Sequence, residues 1–187
     1  KANADLDLLV DGEAVAVNSQ LNSGKIQAQA NTSQINLNRL ASNLPVPANI
    51  TSSQLTATGE LRQLLTWSDN PSLSTFTARV DADLGVAEGA LKAIANLQNN
   101  LWQANLDANG ISSQLLLDKF APPNLTELQV DNINAQANLA GDIRPLLNKA
   151  TTIPVAVNQL TVDSGVQNLQ AQGNLTLANL TSMLDAN

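Results

Sequence analysis

Two pairs of carboxylates are spaced to do chemistry. Asp5-x-Asp7 and Asp81-x-Asp83 sit two residues apart, the spacing that puts side chains on one face of a strand. A carboxylate pair can serve acid-base work of the glycosidase kind. Asp5, Asp7, Asp11 and Glu13 could also offer oxygens to calcium, but the EF-hand loop spacing and glycine-rich calcium repeats are absent. Little else is reactive. The chain has no His and no Cys, which removes imidazole bases, thiol nucleophiles and zinc sites built from them. It also lacks a glycine-rich phosphate loop, a Gly-x-Ser-x-Gly elbow and a Ser-x-x-Lys. The four aspartates fall on the polar parity of strand-like segments, so a solvated face is the default reading. The expectation is a protein that is not an enzyme, with no metal and no cofactor.

The elements that would carry those aspartates are strands. Apolar and polar residues alternate with a period of two along most of the 187 residues. Leu6, Leu8 and Val10 alternate with aspartates, with Leu9 out of phase, and Val15 and Val17 follow a turn at Asp11-Gly12. Asn22-Ser23-Gly24-Lys25 interrupts the pattern like a hairpin turn before Ile26 and Ala28. Leu55 begins another such stretch. Phe76, Ala78, Val80 and Leu84 share one parity, as do Trp102, Ala104 and Leu106. Leu115 with Leu117, Leu128 with Val130, and Ala135 with Ala137 continue it. Val155 with Val157, Leu160 with Val162, and Leu169, Ala171 and Leu175 complete it. One-sided alternation predicts antiparallel sheet, since buried parallel strands read as continuous apolar runs. One helix is expected at Ala87 to Gln98, where Leu91, Ile94, Ala95 and Gln98 fall at helical spacing.

The segments also repeat. Ile26-Gln-Ala28-Gln-Ala30-Asn31 resembles Ile133-Asn-Ala135-Gln-Ala137-Asn138 and Leu169-Gln-Ala171-Gln-Gly173-Asn174. Each runs into a leucine-rich stretch. Gly59-Glu-Leu61-Arg62-Gln-Leu64-Leu65 matches Gly141-Asp-Ile143-Arg144-Pro-Leu146-Leu147, and Gly89-Ala-Leu91-Lys92 is a weaker copy. The change of spacing after the glycine predicts short helical turns at strand ends, with Asp142 and Asn36 as N-caps. The spacing of these copies reads as irregular, roughly 20 to 35 residues. Proline-marked loops at Pro45, Pro71, Pro122 and Pro154 leave the pattern unbroken, so one domain is expected over 1–187.

Composition bounds the partners. The net charge of -7 lacks the basic footprint a nucleic-acid binder needs. Asn and Gln number 39 and supply much of the polarity. Aromatics are 2%, too few for carbohydrate-stacking platforms. The apolar face combines Leu, Val and Ile with many Ala. It fits either the packed core of a structural or adhesive β-sandwich or β-helix, or an open trough for something water-averse. About a dozen strands would make a strip on the order of 55 Å long. Its ends would tend to pair edge to edge. Trp67 and Trp102 could line such a trough or pack a core. Arg62, Arg79, Lys92 or Arg144 could stand at its wet edge.

Aliphatic-x-Ala-x-Ala/Gly-Asn strands followed by Gly-x-Leu-x-x-Leu-Leu resemble the TamB family and its AsmA-like relatives. The likeness is carried by Ala137-Asn-Leu139-Ala-Gly141-Asp-Ile143-Arg-Pro-Leu146-Leu147 and by Gln170-Ala-Gln-Gly173-Asn174-Leu175-Thr-Leu177. It spreads over nearly all of the chain, and the Asn/Gln/Ala bias is similar to that of cyanobacterial members. The resemblance implies a curved antiparallel sheet folded as a U-shaped β-taco around a lipid groove. It implies a segment of a longer periplasmic protein anchored in the inner membrane, and the chain opens on Lys1. It implies a phospholipid or other acyl lipid as cargo and an Omp85-type outer-membrane protein as partner of the parent chain.

Overall fold

The computed structural model describes residues 1–10, 12–40, 44, 46–66, 71–120, 132–148, 150, 152–165 and 167–178. In chain order these form β1 (Ala2–Val10), β2 (Glu13–Asn22), β3 (Lys25–Asn36), α1 (Leu37–Leu40), β4 (Ala48–Glu60) and α2 (Leu61–Leu65). Then come β5 (Thr77–Val86), β6 (Gly89–Gln98), β7 (Leu101–Ile111), α3 (Ser113–Phe120), β8 (Ile133–Asp142), α4 (Arg144–Leu147), β9 (Thr152–Asp163) and β10 (Asn168–Ala178). All ten strands make one antiparallel sheet in sequence order, β1 through β10, and the sheet does not close into a barrel. The mainly-β, antiparallel reading of the alternation therefore holds.

Tight turns and helical connections follow a rule. Ser23-Gly24, Ala87-Glu88 and Asn99-Asn100 each place two residues at positive φ, the backbone that matches a two-residue hairpin to strand twist. The connections after β3, β4, β7 and β8 instead carry α1, α2, α3 and α4. Two hairpins followed by two helical connections thus recur. The N–H of Leu61, where α2 begins, donates to the Gly24 carbonyl at 2.8 Å. The N–H of Ile143, just before α4, donates to the Asn100 carbonyl at the same distance. Gly24 and Asn100 are 76 residues apart, and so are Leu37 and Ser113, where α1 and α3 begin. The repeat is a four-strand unit, not the shorter irregular period read from the sequence.

Three further readings are corrected. Ala87 to Gln98 is no helix: residues 89–98 are β6, so the Gly89-Ala-Leu91-Lys92 copy is strand as well. Leu115 and Leu117 lie in α3, because Ser113 follows the end of β7 and opens a helical segment. Among the described residues the strip has ten strands, about 43 Å across nine strand spacings. Of the expected caps, Asn36 forms: its Oδ1 accepts the Asn38 N–H at 3.0 Å. Asp142 does not fill the cap position of α4, which is Ile143; from one residue earlier its Oδ1 accepts the Arg144 N–H at 2.8 Å.

Candidate functional site

Directly opposed residues of an antiparallel ladder share a face, so the register says what each side of the sheet presents. One row reads Leu6, Val17, Ala30, Leu55, Val80, Ala95, Ala104, Leu139, Val157, Gly173, apolar across all ten strands. The next reads Leu8, Val15, Thr32, Ser53, Ala82, Ala93, Leu106, Ala137, Leu160, Ala171. On the other side of the first lie Ala28, Ala57, Ala78, Leu97, Trp102, Gly141, Val155 and Leu175. Leu84, Ala135, Val162 and Leu169 extend the same face toward one end of the strands, and Ile26 toward the other, with Val10 closing β1.

The rows stay aligned because bulges reset the phase. Sequence parity changes between Val157 and Leu160, where Asn158 is the extra residue of β9. Thr51 of β4 and the Asn109-Gly110 step of β7 do the same, the latter with Gly110 at φ +65. An extra residue in one strand turns the rest of it over, which returns Leu160 and Val162 to the side of Val155.

Glycine and aromatic pairs shape the face. A Cβ on Gly141 would lie 2.8 Å from the Trp102 indole, and one on Gly59 would collide with the Phe76 ring. The two glycines of the matched leucine-rich segments are therefore the floor beneath Phe76 and Trp102. The ring over Gly59 comes from the residue just before β5, and the ring over Gly141 from the strand before.

Few side chains of the face are fully buried. Ile35, Ala87 and Ile111 are buried at one end of the strands, Phe76 at the other, and Val155 and Val157 along β9. Other large side chains of the face are exposed: Leu6 is 55%, Leu55 39% and Leu169 60% exposed. Among the described residues each strand packs on its sheet neighbours and no second sheet covers it. An apolar cleft of about 410 Å³ lies on this face, lined by Val80, Leu97, Trp102, Val155 and, from the α4 turn, Ile143 and Leu146. Val80 and Val155 stand four strands apart, about 19 Å along the sheet, so the cleft runs across the strands.

The other face is polar. Asp5, Asn18, Gln29, Thr56, Arg79, Asn96 and Gln103 follow one another in register. An amide ladder crosses three strands: Asn158 Nδ2 donates to Asn138 Oδ1 at 2.8 Å, and Asn138 Nδ2 to Asn105 Oδ1 at 2.6 Å. Asp81 receives two hydrogen bonds from the Arg79 guanidinium, which hold its carboxyl below the usual range and keep it ionised. Asp83 accepts the Ser52 hydroxyl at 3.0 Å. Among the described residues no group of three or more acids gathers to hold a metal ion.

The strand positions read from the sequence are thus brought together on one face. Leu115 and Leu117 are not part of it, and Leu128, Val130, Trp67 and Asp11 lie outside the described residues. Arg79 and Lys92 lie on the polar face, where Lys92 stands opposite Asp83 and Asp107. Arg62 and Arg144 sit on helical turns at one end of the strands, and Arg144 is paired with Asp142. Sequence reasoning missed Leu91, Ala93, Ala95 and Leu97 of β6. Their period of two was legible but competed with helical spacing. It also missed Ile143 and Leu146 as cleft walls, since nothing local says which way a four-residue helix turns.

Fold and site define a class: an open antiparallel sheet with one polar face and one apolar face that no second sheet covers among the described residues. No protein-family model matches the chain, and no curated protein or solved structure matches it. Among the described residues no helix is long and apolar enough to cross a membrane.

Proposed function

We propose that the chain is a groove-forming segment that holds lipid acyl chains, one stretch of an envelope-spanning protein that carries lipid between an inner and an outer membrane. The observation that carries the reading is the apolar row from Leu6 to Gly173, unbroken over ten strands and with no second sheet over it among the described residues. Each methylene laid on such a strip recovers roughly 0.8 kcal/mol on leaving water, so a few carbons suffice to hold a chain. Walls of Leu, Val and Ala hold it by area alone, with no pocket for one headgroup. Movement along the strip therefore breaks no specific contact. The resemblance to the TamB family points the same way. It adds the support of outer-membrane protein assembly, with an Omp85-type protein as partner of the parent chain. The alternative, a structural or adhesive module with a filled core, is disfavoured by the exposure of Leu6, Leu55 and Leu169 on what would be its inner face.

Native mass spectrometry of the chain purified from a two-membrane bacterium, with lipid extraction, tests the proposal. The expected result is co-purified phospholipid that disappears in Val80→Asp or Leu106→Asp, with the thermal transition shifted only slightly. A clean apo mass with no uptake of fluorescent fatty acid or phospholipid would overturn it. So would collapse of the thermal transition in both variants, which is the behaviour of a packed core.

A further inference from the structure

The two end strands of the described sheet each have one edge without a described partner. Among the described residues no strand lies beyond β1 or β10, and β1 is exposed along nearly its whole length. The hydrogen-bonding groups at these edges can be assigned from the hairpins. Tight hairpins close on a hydrogen-bonded pair, here Val10 with Glu13, and bonded and non-bonded pairs alternate away from it. Leu8, Leu6 and Ala4 therefore bond to β2. Asn3, Asp5, Asp7 and Leu9 turn their N–H and C=O groups outward. The same count from the Asn99-Asn100 hairpin runs through β7, β8 and β9. It leaves Asn168, Gln170, Gln172, Asn174 and Thr176 of β10 facing outward.

We infer that β10 of one copy pairs antiparallel with β1 of a second copy, so that the sheet continues head to tail. Gly173 opposite Leu6 of the second copy, and Ala171 opposite its Leu8, extend the two central apolar rows without a break. The same register opposes Asn174 to Asp5 and Gln172 to Asp7, outward-bonding residues against outward-bonding residues. Amide N–H₂ groups there meet carboxylates that nothing else on β1 neutralises. Pairing β1 with β1 about Leu6 would set Asp5 against Asp7 across the seam, and directly opposed like charges destabilise a ladder. The contact is heterologous: it uses two different surfaces and leaves one free edge of each kind, so it propagates instead of stopping at a dimer.

Sedimentation velocity over a range of concentrations tests this with two edge variants. Proline removes one outward N–H and is tolerated on edge strands, so Asp7→Pro blocks the β1 edge and Asn174→Pro the β10 edge. Asp5→Pro is the second β1 variant should Asp7→Pro lose its β-sheet circular dichroism. The expected wild type shows a concentration-dependent series beyond the dimer. Each variant alone stays a monomer, and an equimolar mixture of the two gives a one-to-one dimer that grows no further. A monomeric wild type would overturn the inference. So would a dimer of either variant alone, which reports like-edge pairing, or oligomers that persist with both prolines in one chain, which report contact through the apolar face.

Discussion

Ala87 and Glu88 adopt left-handed backbone at φ 46 and 66, a conformation that costs a residue with a Cβ roughly 1–2 kcal/mol. They hold it because the surroundings impose it. The Ala87 N–H donates to the Pro47 carbonyl at 2.9 Å, and the Ala87 carbonyl accepts the Ser112 N–H at 2.9 Å. Those bonds tie the β5–β6 hairpin to the chain entering β4 and leaving β7. This is why the hairpin was illegible in the sequence: neither residue is a turn former, whereas Ser23-Gly24 could be read directly. Glu88 is exposed, and Glu88→Gly is expected to raise stability by about 1 kcal/mol, the relieved strain less the entropy glycine adds to the unfolded chain. Thermal unfolding measures it, and a lower midpoint would show that the Glu88 side chain contributes more than its backbone costs. At Asp142 the Arg144 guanidinium and N–H hold the carboxyl below its usual range. That contribution is present above the ordinary carboxylate pKa and fades as pH falls through the lowered one.

Among the elements, the strands were legible and their joints were not. Alternation placed Leu6, Val80, Trp102 and Leu169 correctly on one face. The slips in its phase, as between Val157 and Leu160, were bulges already visible as two apolar residues three apart. Leu115 and Leu117 show the limit. Two leucines spaced by two fit a strand or one turn of a helix, and only the termination of β7 at Ile111 decides. The repeated glycines could be found in the sequence, but their reason could not, since the ring above each comes from another part of the chain. Gly141→Ala would put a methyl into the Trp102 indole, and overpacking of that kind costs about 1–3 kcal/mol. The expected outcome is a lower melting midpoint together with a change in Trp102 fluorescence. An unaltered midpoint would mean that the ring moves aside freely.

The molecule as a whole has the surface of an open object. Its accessible area is 12,238 Å², where a compact protein of 19.6 kDa exposes about 8,600 Å². Relative to an unfolded chain of about 28,000 Å², folding then buries about four-fifths of what a compact protein would. The slope of stability against urea scales with area exposed on unfolding, so it should be about four-fifths of the value usual for this length. A slope at the compact value would mean that the apolar face is covered in solution.

The four-strand unit has a consequence for length. Because Gly24 and Asn100 occupy the same position in successive units, a chain duplicated between them would gain four strands and about 19 Å of sheet, with both terminal edges unchanged. Such a sheet works as a ruler graduated in whole units. A distance to be bridged is matched by counting copies, and no individual strand has to be redesigned to reach further.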